Sequence, residues 1–171
     1  MHPVAVKAAL EEAVILVDTR EQDTPRFRAR LRQMELPWER HKLDFGDYSV
    51  RCNQLDLSDK VAVERKMDLD ELCSCYCRER KRFEKEFERA KDRGAKLYLL
   101  VEDATWEDAY GGQYRSQMKP ESLVASMQAW LARYNCQILF CRPSTSGRLI
   151  RDVLYRELKE RLEALPDEQD G

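Results

Sequence analysis

Three residues in one short stretch have the types and spacing to do chemistry together: Asp47, Glu64 and Lys66. They stand in Gly46–Lys66, which reads GDYSVRCNQLDLSDKVAVERK. Tyr48 to Cys52 and Val61 to Val63 are β-favouring, and Asn53 to Lys60 carry the Asp, Asn and Ser of a polar turn. Side chains alternate along a strand, so Glu64 and Lys66 share one face and Arg65 takes the other. A turn centred on Leu55 to Leu57 places Asp47 opposite a residue between Glu64 and Lys66. Two carboxylates and an amine then converge, a set suited to a divalent metal ion with an activated water beside it. Exposed hairpins also carry such charges as plain ion-pair ladders, so the triplet alone does not separate catalysis from surface.

The elements that must hold this hairpin follow from the hydrophobic pattern. Val14 to Val17, Leu97 to Val101 and Ile138 to Cys141 are short continuous apolar runs, as in strands covered on both faces. Trp38 to Leu43 is a further strand candidate. Thr24 and Pro25 suit the start of a helix bearing Phe27, Leu31 and Met34. The spacing predicts one long helix from Asp68 to about Arg93, ended by Gly94, and another from Pro120. A last helix is expected to start near Ser144 to Gly147, with those residues as its cap. Strands alternating with amphipathic helices, plus an antiparallel hairpin, make an α/β sandwich around a mixed sheet. The expected division is a lead-in over 1–13, weakly helical or loose, one domain over 14–165 and an acidic tail over 166–171.

Composition narrows the function. The 171 residues carry 30 Lys and Arg against 32 Asp and Glu, a formal net charge of -2. Any nucleic-acid contact must therefore come from a local patch. No apolar run reaches membrane-spanning length and no signal-peptide pattern opens the chain, so the expectation is a soluble, intracellular (cytoplasmic) protein with no membrane partner. Cys73, Cys75 and Cys77 lack a fourth ligand at metal-site spacing and read as free thiols on a helix. Tyr110 to Gln117 reads as a surface loop.

Val17-Asp18-Thr19-Arg20-Glu21, then Gly46-Asp47-Tyr48, then Val63-Glu64-Arg65-Lys66 followed by Asp70 fall in the order V-D-x-R-E, G-D-Y, E-R-K-x-x-x-D. In these motifs the chain resembles the nuclease domain of XPF-type structure-specific endonucleases, roughly over Val14 to Val101. The resemblance implies a restriction-endonuclease-like core, Mg²⁺ or Mn²⁺ as cofactor, cleavage of branched, flap or fork DNA, and homodimerisation as a family habit. It is a resemblance to a compact form, with no tandem helix-hairpin-helix module. A G-R-x-x-x-Q-like element of the family is matched at Glu79 to Glu84, with Arg80 as its arginine.

Together these readings assign Asp47 and Glu64 to the metal, with a backbone carbonyl near Arg65 and with Asp18 as a further catalytic ligand. Lys66 orients the water or steadies the developing charge. Arg20, Arg65, Arg80 and Lys85 contact phosphate, and Glu21 positions Arg20 or a water. On a continuous wheel Arg80 falls inside the apolar stripe of the long helix, a costly place unless its head meets phosphate or an acid. The alternatives are a catalytically silent DNA-binding or scaffold subunit of a repair or recombination complex, and an enzyme acting on RNA or plain duplex ends.

Overall fold

The structure is a computed structural model and describes residues 1–166. The tail expected over 166–171 lies outside the described residues except for Pro166. Six strands form one mixed sheet in the order β2-β1-β3-β4-β5-β6: β1 (Val14–Val17), β2 (Trp38–Arg40), β3 (Tyr48–Arg51), β4 (Val61–Lys66), β5 (Lys96–Glu102) and β6 (Cys136–Cys141). β3 runs antiparallel to both β1 and β4, while β1–β2, β4–β5 and β5–β6 are parallel.

Helices cover both faces, because the central strands are apolar on both sides. On one face lie α3 (Leu69–Cys77), α4 (Arg80–Asp92), α5 (Trp106–Gly111) and α6 (Pro120–Arg133). There Tyr76, Phe83, Phe87, Trp130 and Tyr134 form an aromatic cluster over Leu97, Leu99 and Val101. On the other face lie α1 (Pro3–Glu11), α2 (Pro25–Met34) and α7 (Pro143–Glu163), packed on Ile15, Val17, Tyr48, Val50, Val63 and Leu100. α2 and α7 meet closely at Gly147, where a Cβ would stand 2.2 Å from the Arg30 carbonyl oxygen. Only glycine lets α2 sit deep enough to bring Arg30 under the sheet's end.

The lead-in takes the helical of its two expected forms, as α1. Three expectations need correction. The strand from Trp38 ends at Arg40 rather than Leu43. The last helix starts at Pro143 with no side-chain cap, and Ser146 and Gly147 are buried inside it. The long helix from Asp68 is two helices, broken at Arg78 and Glu79, whose N–H groups both donate to the Ser74 carbonyl. A continuous helix would drive Arg80 into the aromatic face. The break leaves Cys77 to Arg82 exposed and still brings the Tyr76 and Phe83 rings edge to face at 5.7 Å.

Candidate active site

The site is built where β1, β3 and β4 end together. Tyr48 pairs with Val63, so the next step of the antiparallel register sets Asp47 beside Glu64. The Asp47 N–H donates to the Val63 carbonyl at 2.8 Å, and the Asp47 carbonyl accepts the Asp18 N–H at 2.8 Å. This crossing needs Gly46, with φ at +75° and the place of a Cβ 2.5 Å from the Ala62 Cβ. The Gly46 N–H in turn donates to Glu86 Oε1 of α4 at 2.8 Å, tying the helix to the strand end.

Asp47, Glu64 and Lys66 meet as the alternation demands. The Arg65 N–H donates to Asp47 Oδ2 at 2.8 Å, and Lys66 Nζ lies 2.7 Å from Glu64 Oε1. Lys66 Nζ is also 5.1 Å from the centre of the Phe83 ring, which fixes the ammonium from above. Among the described residues neither Asp47 Oδ1 nor Glu64 Oε2 has a hydrogen-bond donor. Both residues border a cleft of about 220 Å³ also lined by Arg20, Glu21, Arg82 and Glu86, with Glu71, Cys75 and Glu79 on its α3 side.

The acids here are crowded. Burial pushes the Glu64 carboxyl up to about 7, against the pull of Lys66. Burial, then Glu64 and Glu21, raise Asp47 well above the usual carboxylate range. Burial works against the Lys66 charge, but Glu64 outweighs it and holds the ammonium protonated. Among the described residues no group of three acidic, histidine or cysteine side chains stands ready as a metal cage. Two carboxylates are nonetheless what Mg²⁺ and Mn²⁺ accept when waters and substrate phosphate complete the shell. A cation would also relieve the repulsion that raises both acids, so the residues fit one.

Other expected site residues lie elsewhere. Asp18 is buried and outside the cleft. Its Oδ1 accepts the Arg20 N–H at 2.9 Å and Nε at 2.6 Å, and its Oδ2 accepts the Leu43 N–H at 2.8 Å. Both oxygens accept hydrogen bonds, and in this arrangement Asp18 positions Arg20 and does not border the cleft where it was expected to join the metal ligands. The Arg65 side chain points to the opposite face of the sheet, where NH1 is 3.2 Å from Glu102 Oε2; it does not face the cleft. Glu21 does face it, but is held by the Tyr48 hydroxyl at 2.9 Å and Arg30 at 3.8 Å rather than by Arg20. Arg80 is exposed at the first turn of α4 and outside the cleft. Lys85 is exposed in an adjoining cleft shared with Arg20. Asp70 turns away, its Oδ1 accepting the N–H groups of Arg115 and Ser116 at 2.9 and 2.7 Å, and so fastens the loop after α5, which begins at Gly112 rather than at Tyr110.

Glu86 was missed, although the signal was present, and Arg82, like Lys81 and Lys85, reads from sequence equally as a solvated helix face or as a phosphate contact. The Arg-x-x-x-Gln-like spacing fits Arg82 and Glu86 as well as Arg80 and Glu84, and only the first pair lines the cleft. Arg30 and Glu102 had no local signal, being buried on separate elements beneath the site.

The ERCC4 domain profile matches residues 17–152. The chain belongs to the ERCC4 domain family. Among solved structures, XPF from Aeropyrum pernix superposes with a TM-score of 0.65 at 21% identity, covering 92% of this chain and 67% of that one. XPF from Aeropyrum pernix in complex with DNA gives a TM-score of 0.60 at 23% identity, covering 90% and 68%. No curated protein sequence matches. The shared fold is the restriction-endonuclease-like core of the XPF nuclease, and this ERCC4 member keeps the V-D-x-R-E, G-D-Y and E-R-K elements around one cleft.

Proposed function

We propose that this ERCC4-family chain is a divalent-metal-dependent DNA endonuclease that hydrolyses phosphodiester bonds at branched, flap or fork DNA. The observation that carries the reading is the pair Asp47 and Glu64, crowded in one cleft with Lys66 fixed beside them. That a related protein is described in complex with DNA supports DNA as the polymer.

Asp47, Glu64 and the backbone carbonyl beside Arg65 would hold Mg²⁺ or Mn²⁺. The chemistry such an ion would supply there is polarisation of a phosphoryl oxygen and a lowered pKa for a bound water. Lys66, kept charged by Glu64, donates to the water or to the oxygen on which charge develops. Arg20, aimed by Asp18, and Arg82 neutralise the phosphate from the rim. Phe83 lines the cleft with its ring against the Lys66 ammonium, and Tyr76 packs behind it in the core.

Cleavage of labelled fork, flap, duplex and single-stranded DNA, and of matching RNA, tests this with Mg²⁺, Mn²⁺ or EDTA. The expected result is metal-dependent cutting of the branched forms, absent in EDTA. Undiminished cutting in EDTA would remove the metal. Binding without any cutting would favour the silent scaffold reading.

A further inference from the structure

The catalytic cleft opens at one end into two further hollows. One, of about 420 Å³, is lined by Arg20, Lys81, Arg82, Lys85, Glu86 and Arg89. The next, of about 310 Å³, lies between Arg20, Lys42, Asp44 and Arg89. Shared walls make the three continuous: Arg20 borders all of them, Arg82 and Glu86 join the first two, and Arg89 joins the last two. The result is a trough along α4. Its two acids are already engaged, Glu86 by the Gly46 N–H and Asp44 by Arg93 at 2.9 Å. Among the described residues Lys42, Lys81, Arg82 and Lys85 have no carboxylate partner, so their charge is available to a polyanion. Lys81, Lys85 and Arg89 recur every four residues, about 6 Å apart along one side of the helix.

The α3 side of the cleft, which borders neither hollow, is lined by carboxylates. Glu71 and Glu79 form that wall, and Glu79 is exposed without a cap hydrogen bond. A phosphodiester chain in the cleft thus meets cations on one side of the scissile position and carboxylates on the other.

We propose that the trough of Arg20, Lys42, Lys81, Arg82, Lys85 and Arg89 is a one-sided track for a nucleic-acid backbone. It grips the strand on one side of the cut, while the Glu71 and Glu79 wall turns it away on the other. The inference rests on the nuclease reading and deepens it. A track of this polarity favours a strand that leaves its duplex near the cut over one that runs straight through.

The test is equilibrium binding of fluorescein-labelled forked DNA in EDTA, followed by anisotropy at several salt concentrations. The K81Q/K85Q double variant should bind about tenfold more weakly at low salt. The slope of log affinity against log salt should flatten by about 2, because two released counterions are lost. R156Q/K159Q on α7, at the far face, should bind like the parent. Glu79→Gln should bind as well as the parent or better. Parental affinity and slope in K81Q/K85Q, or an equal loss in R156Q/K159Q, would overturn the track; a loss in Glu79→Gln would overturn its one-sidedness. Metal-dependent cutting that persists alongside such a failure would leave the nuclease reading standing. A trough that binds as expected in a chain that never cuts would sink that reading and spare the track.

Discussion

At the scale of single residues, Asp47 and Glu64 are held where their charges are unfavourable, and stability should show it. Both have raised pKa values, so between about 4.5 and about 7 the folded chain keeps a proton on Glu64 that the unfolded chain has lost. Folding stability without metal should therefore fall as pH rises through that window and level off above it. Melting in EDTA at pH 5.5 and pH 8 checks this; a higher melting temperature at pH 8 would contradict it. Added Mg²⁺ should raise the melting temperature more at pH 8, where Glu64 has given up its proton, than at pH 5.5. Asp47→Asn keeps an oxygen for the Arg65 N–H and removes one crowded charge. It should abolish cutting and raise the metal-free melting temperature, since function-shaped sites are seldom stability optima. Cutting at the parental rate by the Asp47→Asn variant would displace Asp47 from the chemistry.

At the scale of elements, the break between α3 and α4 decides which arginine meets substrate. Arg82→Ala should lower the cleavage rate about tenfold or more, by loss of a charge-assisted phosphate contact, with little change in melting. Arg80→Ala should cost much less; the reverse order would mean that the two helices straighten on DNA. The hairpin was legible because a period of two assigns faces without ambiguity, and Glu64, Lys66 and Arg65 fall as that period requires. The helix break was not. Leu69, Tyr76, Phe83 and Phe87 keep one phase on a wheel, so periodicity alone reads through Arg78 and Glu79 and puts Arg80 in the apolar stripe. The hydrogen bonds of Asp18 were not legible either. Position at a strand end says that a carboxylate is near a site, but only the Leu43 and Arg20 N–H groups show that its oxygens are taken.

At the scale of the whole molecule, β4 separates two charged layers. Asp47, Glu64 and Lys66 lie on the α3–α4 face, and on the other face Arg65, Glu102 and Arg30 form a chain of charges that ends at Glu21, which borders the cleft. Nothing local in the sequence announces that chain, because its members come from β4, β5, α2 and the loop after β1, brought together only by folding. Arg30 and Glu102 are almost fully buried, at 3% and 1% exposure, so neither can trade its partner for water. Glu102→Gln should cost about 3 kcal/mol, because it leaves Arg65 without its carboxylate partner and Arg30 with Glu21 alone. Urea unfolding measures it, and a loss under about 1 kcal/mol would show that the arginines find relief elsewhere.

The six thiols differ sharply in access. Burial pushes Cys75 and Cys141 up to about 11 and Cys136 up to about 12, and Cys73 also rises. Those sulfurs stay protonated near neutral pH and react slowly. Cys77 alone of the six is exposed, at the end of α3 just before the helix break. The native chain thus carries its own attachment point for a dye. Brief maleimide treatment followed by intact mass should show one fast adduct, lost in Cys77→Ser. A fluorophore there would sit at the α3–α4 junction and report on polymer arriving in the neighbouring cleft.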